Sequence, residues 1–463
     1  MNIFSHIENE MERYADSVVK EGKNIFTYKE VLVAVRTLAR KISKSAKSGQ
    51  KAAILCESEL NMAISILACF KAGVTAIPTT DRYGERYCQR IVDICKPDIL
   101  IREVNSENSD DNRIVIDKVN NDFDENLCDV ALIMYTSGTS GTPKGVMLTY
   151  SNILSNLQDI NEYFEVGNDD KILILRSVFH MAVLMGELLI SLYRGVNIEF
   201  FNQKFDPIRA IKIIESEEIT IICATPTILF YLLKFIDRFG KNVLRVIVSS
   251  GECMTKIIAD RLIEKFPMAN IYNVYGMTEA SPRIAYLDYR LFRQYKTAVG
   301  VPLKSVECKI SAGQLFVKGP NIMKGYYKKT AQNGSGYELS SIIDADGWLR
   351  TGDAAVIENG IITIKGRMDN MIIKGGMNIY PEEIENVLKS VPLIVDVLAV
   401  GIKSLEVGEK ILLKIVPENE AIKENDIFQI CKEKLPQYML PDSIEIVDDI
   451  ERNAVGKVVR RNV

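Results

Sequence analysis

At 463 residues the chain exceeds what one hydrophobic core usually organises, so two or three domains are expected. Hydrophobic residues make up 47% and charged residues 25%, an ordinary globular balance, and the net charge of −4 offers no basic stripe for nucleic acid. Two histidines, His6 and His180, and nine scattered cysteines without a C-x-x-C pair leave a histidine triad or zinc site short of ligands; reduced thiols in a cytoplasmic protein are expected.

Residues 1–16 are acidic where a secretory signal needs an apolar core. Helical spacing over 28–45, a short apolar strand at 51–56, an apolar helix over 60–72 closed by Gly73, and a strand at 74–78 follow in turn. Residues 105–126, rich in Asn, Asp and Glu, read as an exposed connector. The alternation resumes around Leu173, Val196 and 219–224 with helices between, which predicts an α/β fold of parallel-rich sheets flanked by helices. The most apolar stretch, 178–192, is broken by His180 and Glu187, so no integral membrane association is expected. Further on, strands at 394–400, 410–416 and 443–447 and helices over 381–388 and 425–435 predict a small α+β domain. Pro381 suits a first helical turn, with Glu382 and Glu383 at the positive end of the helix dipole. The domains are read as 1–367 and 368–463.

The segment 135–146, YTSGTSGTPKGV, places glycines, hydroxyl residues and Lys144 between a buried strand at 130–135 and a capped helix start at 149–154. Such a loop turns N–H and O–H groups onto a polyphosphate, and Lys144 adds a cation. It is not a Walker A loop, because Pro143 stands where that motif needs glycine. Four further segments carry chemistry. NVYGMTE at 273–279 holds Glu279, a carboxylate of the kind Mg²⁺ takes. GWLRTGD at 347–353 ends in Asp353, able to accept from both hydroxyls of a ribose diol. GRMDN at 366–370 runs on to a glycine pair, Gly375 and Gly376, that permits close backbone approach. RNAVGK at 452–457 offers the mobile ammonium of Lys457, suited to charge building on a phosphorus centre. VSSGE at 248–252 and FHM at 179–181 are weaker signals.

In this order the motifs resemble those of the AMP-forming adenylating enzymes: acyl- and aryl-CoA synthetases, free-standing adenylation domains and luciferase. The resemblance covers essentially the whole chain and implies a large N-terminal domain with a small mobile C-terminal domain. It implies that Thr136, Ser137, Gly138, Thr139, Ser140, Gly141 and Lys144 hold phosphates, that Thr278 contacts phosphate and that Glu279 holds Mg²⁺. Tyr275 and Gly276 would form the adenine wall, with Ser250, Gly251 and Glu252 lining adenine and part of the acyl pocket. Asp353 would take the ribose, Arg367 the nucleotide, and Asp369 would be the hinge. Gly375 and Gly376 would line a channel for a pantetheine arm, and Lys457 would bridge carboxylate and α-phosphate. A proline common shortly before the Gly-Lys pair is missing here. Candidates for the acyl pocket are His180, Met181, Leu184 and Met277.

The implied activity is ATP-dependent activation of a small carboxylic acid as an acyl-adenylate, followed by transfer to a thiol. Coenzyme A is the expected acceptor, with the phosphopantetheine of a carrier protein as the alternative. No aspartate follows Phe179 to anchor an α-ammonium, which favours an aryl or aliphatic acid over an amino acid. Arg283, in the Ser-Pro-Arg after Ala280, adds a cation without an assigned purpose. A different class also fits, a nucleotide- or acyl-binding protein without catalysis, although Lys457 has no role there. A P-loop kinase conflicts with the loop.

Overall fold

The computed structural model describes residues 3–80, 85–104, 113–136, 143–238, 243–329, 335–338, 342–404, 407–419, 422–452 and 458–460. Two large sheets share one core. In the first, Ile99–Val104, Lys51–Leu55, Thr75–Thr79 and Val130–Thr136 run parallel. In the second, the parallel run is Asn270–Gly276, Val246–Ser250, Ile221–Ala224, Lys171–Ile174, Asn197–Phe200 and Val18–Glu21. The central strands, such as Val130–Thr136 and Ile221–Ala224, read as near-continuous apolar runs because both faces are covered. Helices Ile3–Arg13, Tyr28–Ser45, Glu59–Ala72 and Tyr150–Tyr163 contribute to the apolar layer that the sheets share. Pro207–Ser216, Pro226–Phe235 and Lys256–Lys265 cover the outer face of the second sheet.

Local chemistry sets the boundaries. Thr27 and Thr149 each accept from the third residue of their helix in a capping box, and Gly73 closes its helix at φ +71°. Buried Glu59, at the start of its helix, accepts from Val178 N at 2.8 Å and Ser177 Oγ at 3.1 Å. That carboxylate fixes the segment leading into His180.

Three features depart from expectation. The hydroxyl-rich loop is followed not directly by a helix but by a strand, Lys144–Thr149, antiparallel to Val130–Thr136. Its apolar residues 146–148 fill the sheet before Thr149 caps the helix. The supposed connector contains an edge strand, Arg113–Lys118, paired with Ile99–Val104. A third sheet, Glu307–Ser311, Gln314–Lys318, Leu349–Glu358 and Ile361–Arg367, is wholly antiparallel. Two of its turns are two-residue hairpins with positive φ at both positions, Ala312-Gly313 and Asn359-Gly360. The second is a strong hairpin dipeptide that went unread.

Beyond it, Ile372–Lys374, Met377–Ile379, Ile394–Ser404, Gly408–Pro417 and Ser443–Ile446 form a separate sheet. Helices Pro381–Leu388 and Glu424–Lys434 pack on it around a core of their own. No helix among the described residues is long and apolar enough to cross a membrane.

Candidate active site

The carboxyl ends of the second sheet's parallel strands converge on one edge, where open α/β sheets bind ligands. Ser250 ends one strand and Tyr275 and Gly276 end its neighbour. Gly251 turns away at φ +89°. A Cβ on Gly276 would stand 1.9 Å from Pro282 O, so only glycine lets the two chains approach here. Met277 N then donates to that same oxygen at 2.9 Å, which sets the Thr278–Ala280 turn. Glu252 faces the neighbouring helix instead, accepting from Thr227 N at 3.1 Å and Thr227 Oγ1 at 2.6 Å.

Asp353 and Arg367 are direct partners across the third sheet. Arg367 Nη1 donates to Asp353 Oδ1 at 3.0 Å and to Thr351 O at 3.2 Å. Tyr275 donates its hydroxyl to Asp353 Oδ2, joining the third sheet to the second. Burial raises the Asp353 pKa against the opposing pull of Arg367 and the Tyr275 hydrogen bond. Each carboxylate oxygen retains acceptor capacity beyond these contacts. Gly352, at φ +77°, has no side chain to crowd Arg367: a Cβ would lie 2.9 Å from Nη2. These two glycines and two charges build a polar, half-open wall.

A second constellation gathers around Lys144. Thr136 and Lys144 are register partners at the loop's two ends. Lys144 Nζ stands 5.2 Å from the centre of the Tyr326 ring, and Tyr326 donates its hydroxyl to Glu279 Oε1 at 2.8 Å. Tyr326 lies on Gly325–Lys329, hydrogen-bonded to the strand that Lys144 opens. Burial and then the Glu279 charge raise the phenol pKa. Among the described residues nothing is bonded to Glu279 Oε2. That free carboxylate oxygen is a hard donor of the kind that fits Mg²⁺, an ion that completes its shell with water and phosphate.

On the acid side, His180 precedes the short helix Met181–Val183, with its ring edge-on to Phe179 at 5.5 Å. Met181 and Leu184 are buried, and Met277 is partly buried against the same core. The helix continues as a π-helical turn, Leu184–Leu189. Arg176, just past its strand, donates through Nη2 to Glu187 Oε1 at 2.9 Å and to Ser250 Oγ at 3.0 Å. Tyr326, Arg176 and Glu187 were missed as site residues. Tyr326 has no motif around it, and Glu187 signalled itself only as a charge inside an apolar run.

Asp369 is exposed and 3.9 Å from Arg367. Gly375 and Gly376, at φ +57° and +80°, form an exposed hairpin turn in which an added Cβ would meet nothing within 4 Å. Left-handed backbone, not close packing, therefore demands glycine there. Ser137, Gly138, Thr139, Ser140, Gly141 and Lys457 lie outside the described residues. The flanks of Lys457 are anchored to the small domain. Arg452 Nη2 donates to Asp396 Oδ2 at 2.5 Å, and Arg460 forks onto Glu385 at 2.8 and 2.7 Å.

The chain matches the AMP-binding enzyme model over residues 7–327 and the AMP-binding enzyme C-terminal domain model over 383–457. It is 27% identical to the 2-succinylbenzoate–CoA ligase of Bacillus subtilis (strain 168), over 94% of this chain and 92% of that one. It is 26% identical to a feruloyl-CoA synthase of Amycolatopsis sp., over 96% and 95%. Its fold is similar to that of o-succinylbenzoate CoA synthetase from Bacillus subtilis in complex with the acyl-adenylate OSB-AMP. There the TM-score is 0.82 at 25% identity, covering 98% of this chain and 96% of that one. A structure of the same enzyme with ATP and magnesium ion gives a TM-score of 0.81, at 25% identity and 98% coverage of each chain.

Proposed function

The chain belongs to the AMP-binding enzyme family, and from that premise we propose that it is an AMP-forming acid–CoA ligase. The observation that carries this reading is the joining of Tyr275, Asp353 and Arg367 in one polar wall, with Glu279 and Tyr326 facing the loop between Thr136 and Lys144. Relatives of similar length named as CoA ligases support it.

In the first half-reaction a carboxylate oxygen attacks the α-phosphorus of ATP. The new O–P bond forms as the bond to the bridging oxygen breaks, and pyrophosphate leaves with that electron pair. In the second, a thiol loses its proton and attacks the acyl carbon, expelling AMP. The chain's own residues position and stabilise rather than form a covalent intermediate. Asp353 accepts from the ribose hydroxyls, Tyr275 flanks adenine, and Arg367 faces the phosphate side. Thr136 through Lys144 hold the leaving pyrophosphate. Glu279 would hold Mg²⁺, which would supply charge neutralisation on the phosphates.

Lys457 supplies the cation at the reacting centre. The small domain, taken as 368–463, turns about Asp369 to withdraw it and bring Gly375 and Gly376 toward the thiol. Such gating keeps water from the adenylate. Both cosubstrates belong to the cytoplasm, where we place the enzyme. A stoichiometric assay tests the reading: one AMP and one pyrophosphate for each thioester formed. ADP as product refutes it, and thioester formed only on a carrier protein replaces coenzyme A as acceptor.

A further inference from the structure

Behind the His180 segment lies a charge that adenylation does not use. Arg283 opens the strand Arg283–Leu287 and is 5% exposed. Its backbone is pinned: N donates to Asn156 Oδ1 at 3.2 Å, and O accepts from Asn156 Nδ2 at 2.8 Å and Asn321 Nδ2 at 3.0 Å. The side chain therefore leaves the strand from a fixed point and reaches the π-helical turn. Its Nη2 would lie 2.5 Å from a Cβ on Gly186, so the glycine makes room for the guanidinium. Among the described residues no group accepts a hydrogen bond from that guanidinium, and Nε is buried without a partner.

Arg176 stands nearby, spent on Glu187 and Ser250 through one nitrogen and with its own Nε unpartnered. Glu187 is 1% exposed, and its Oε2 is unpartnered too. Two guanidiniums thus share one carboxylate. Burial raises the Glu187 pKa to about 7 even against both cations, so near neutrality the cluster's positive charge is only partly offset. A buried guanidinium that shares a carboxylate without donating a hydrogen bond to it is costly, a cost that fold alone gives no reason to carry. Two other arginines are paired more fully: Arg460 forks onto Glu385, and Arg245 reaches Asp170 and Glu165 O.

Location identifies the side of the site. Arg283 is the register partner of Gly276, and the turn it approaches continues the helix that starts at Met181. It thus lies between the end of the tyrosine strand and the acid-side helix. We propose that Arg283, with Arg176 behind it, is a specificity-determining residue that receives a second carboxylate at the far end of the substrate, which is therefore a dicarboxylic acid. The inference rests on the acid-ligase reading and narrows its substrate class.

The test compares kcat/KM for matched pairs, hexanoate with adipate and octanoate with suberate, measured as thioester formation with ATP and coenzyme A. The wild-type enzyme prefers the diacid of at least one pair by about 100-fold, the discrimination a buried charged partner confers. Arg283→Met raises KM for that diacid and collapses the ratio toward unity, while Arg283→Lys restores part of it. A wild-type preference for the monoacids overturns the inference and leaves the ligase reading intact, as does an Arg283→Met ratio equal to wild type. Because the wild-type comparison needs no variant, a variant that fails to fold does not blunt the test. Failure of every acid, mono or di, to react while ATP binds overturns the ligase reading itself.

Discussion

Replacing Asp353 by asparagine keeps the shape of the proposed ribose wall and removes its charge. The wild-type carboxylate already takes Arg367 at 3.0 Å and the Tyr275 hydroxyl, and keeps acceptor positions for a diol. A hydrogen bond to a charged group contributes about 1.5–3 kcal/mol and a neutral one about 0.5–1.5 kcal/mol, so two ribose hydroxyls lose roughly 2–3 kcal/mol together. That corresponds to about 30- to 150-fold weaker ATP binding. The cost to folding is smaller, roughly 1 kcal/mol, because the Arg367 side chain is 42% exposed and water screens it once unpaired.

Isothermal titration with ATP and 2′-deoxy-ATP separates the effects. Wild type discriminates between the two nucleotides, and Asp353→Asn loses most of that discrimination. The pH dependence follows from burial, which lifts the Asp353 pKa above its ordinary value despite Arg367 and Tyr275. In the window between the ordinary and raised values, the folded apo protein keeps a proton that the unfolded chain has lost. This contribution to stability therefore falls as pH rises through the window. Ribose hydroxyls favour the ionised form, so ATP binding releases a proton there and weakens as pH drops. In Asp353→Asn this component is absent. ATP binding within threefold of wild type, with unchanged discrimination against 2′-deoxy-ATP, would refute the ribose assignment.

Glu279→Gln leaves Tyr326 a neutral partner but removes the anionic oxygen proposed to hold Mg²⁺. Apparent Mg²⁺ affinity should fall at least tenfold in a metal titration of activity. Tyr326→Phe removes one hydrogen bond to a carboxylate, about 1.5–3 kcal/mol, but leaves the anionic oxygen, so Mg²⁺ affinity should fall less than in Glu279→Gln in the same titration. Gly276→Ala puts a methyl 1.9 Å from Pro282 O and should lower stability by about 1–3 kcal/mol or more in denaturant unfolding, whatever ligand is present. Lys457→Ala should cripple adenylate formation yet largely spare thioester formation from supplied acyl-adenylate; equal loss of both half-reactions would contradict its assigned role.

Much of this site was legible because its chemistry sits in short contiguous runs. Asp353, Glu279 and Tyr275 each stand within a segment whose turn and residue types announce them. The alternating helices and strands of both parallel sheets were readable for a similar reason: residues 28–45 carry helical periodicity behind the Thr27 cap, and 60–72 form an apolar run closed by Gly73. The third sheet was not, although Glu307–Ser311 alternates polar and apolar residues, since its strands find their partners through turns such as Asn359-Gly360. Tyr326 becomes part of the site only when Gly325–Lys329 pairs with the strand opened by Lys144, across nearly two hundred residues. No local pattern encodes that pairing. Arg283 was visible as a charge but not as a buried, unpartnered one, which depends on Asn156, Asn321 and Gly186 together.

Acid-dependent ATP–pyrophosphate exchange reads the first half-reaction without needing the thiol or its carrier. With a panel of aliphatic and aromatic mono- and dicarboxylic acids, label from pyrophosphate should enter ATP only when an activated acid is present. Exchange that ignores the acid, or no exchange with any class while ATP binds, would contradict acid adenylation as the activity of this protein.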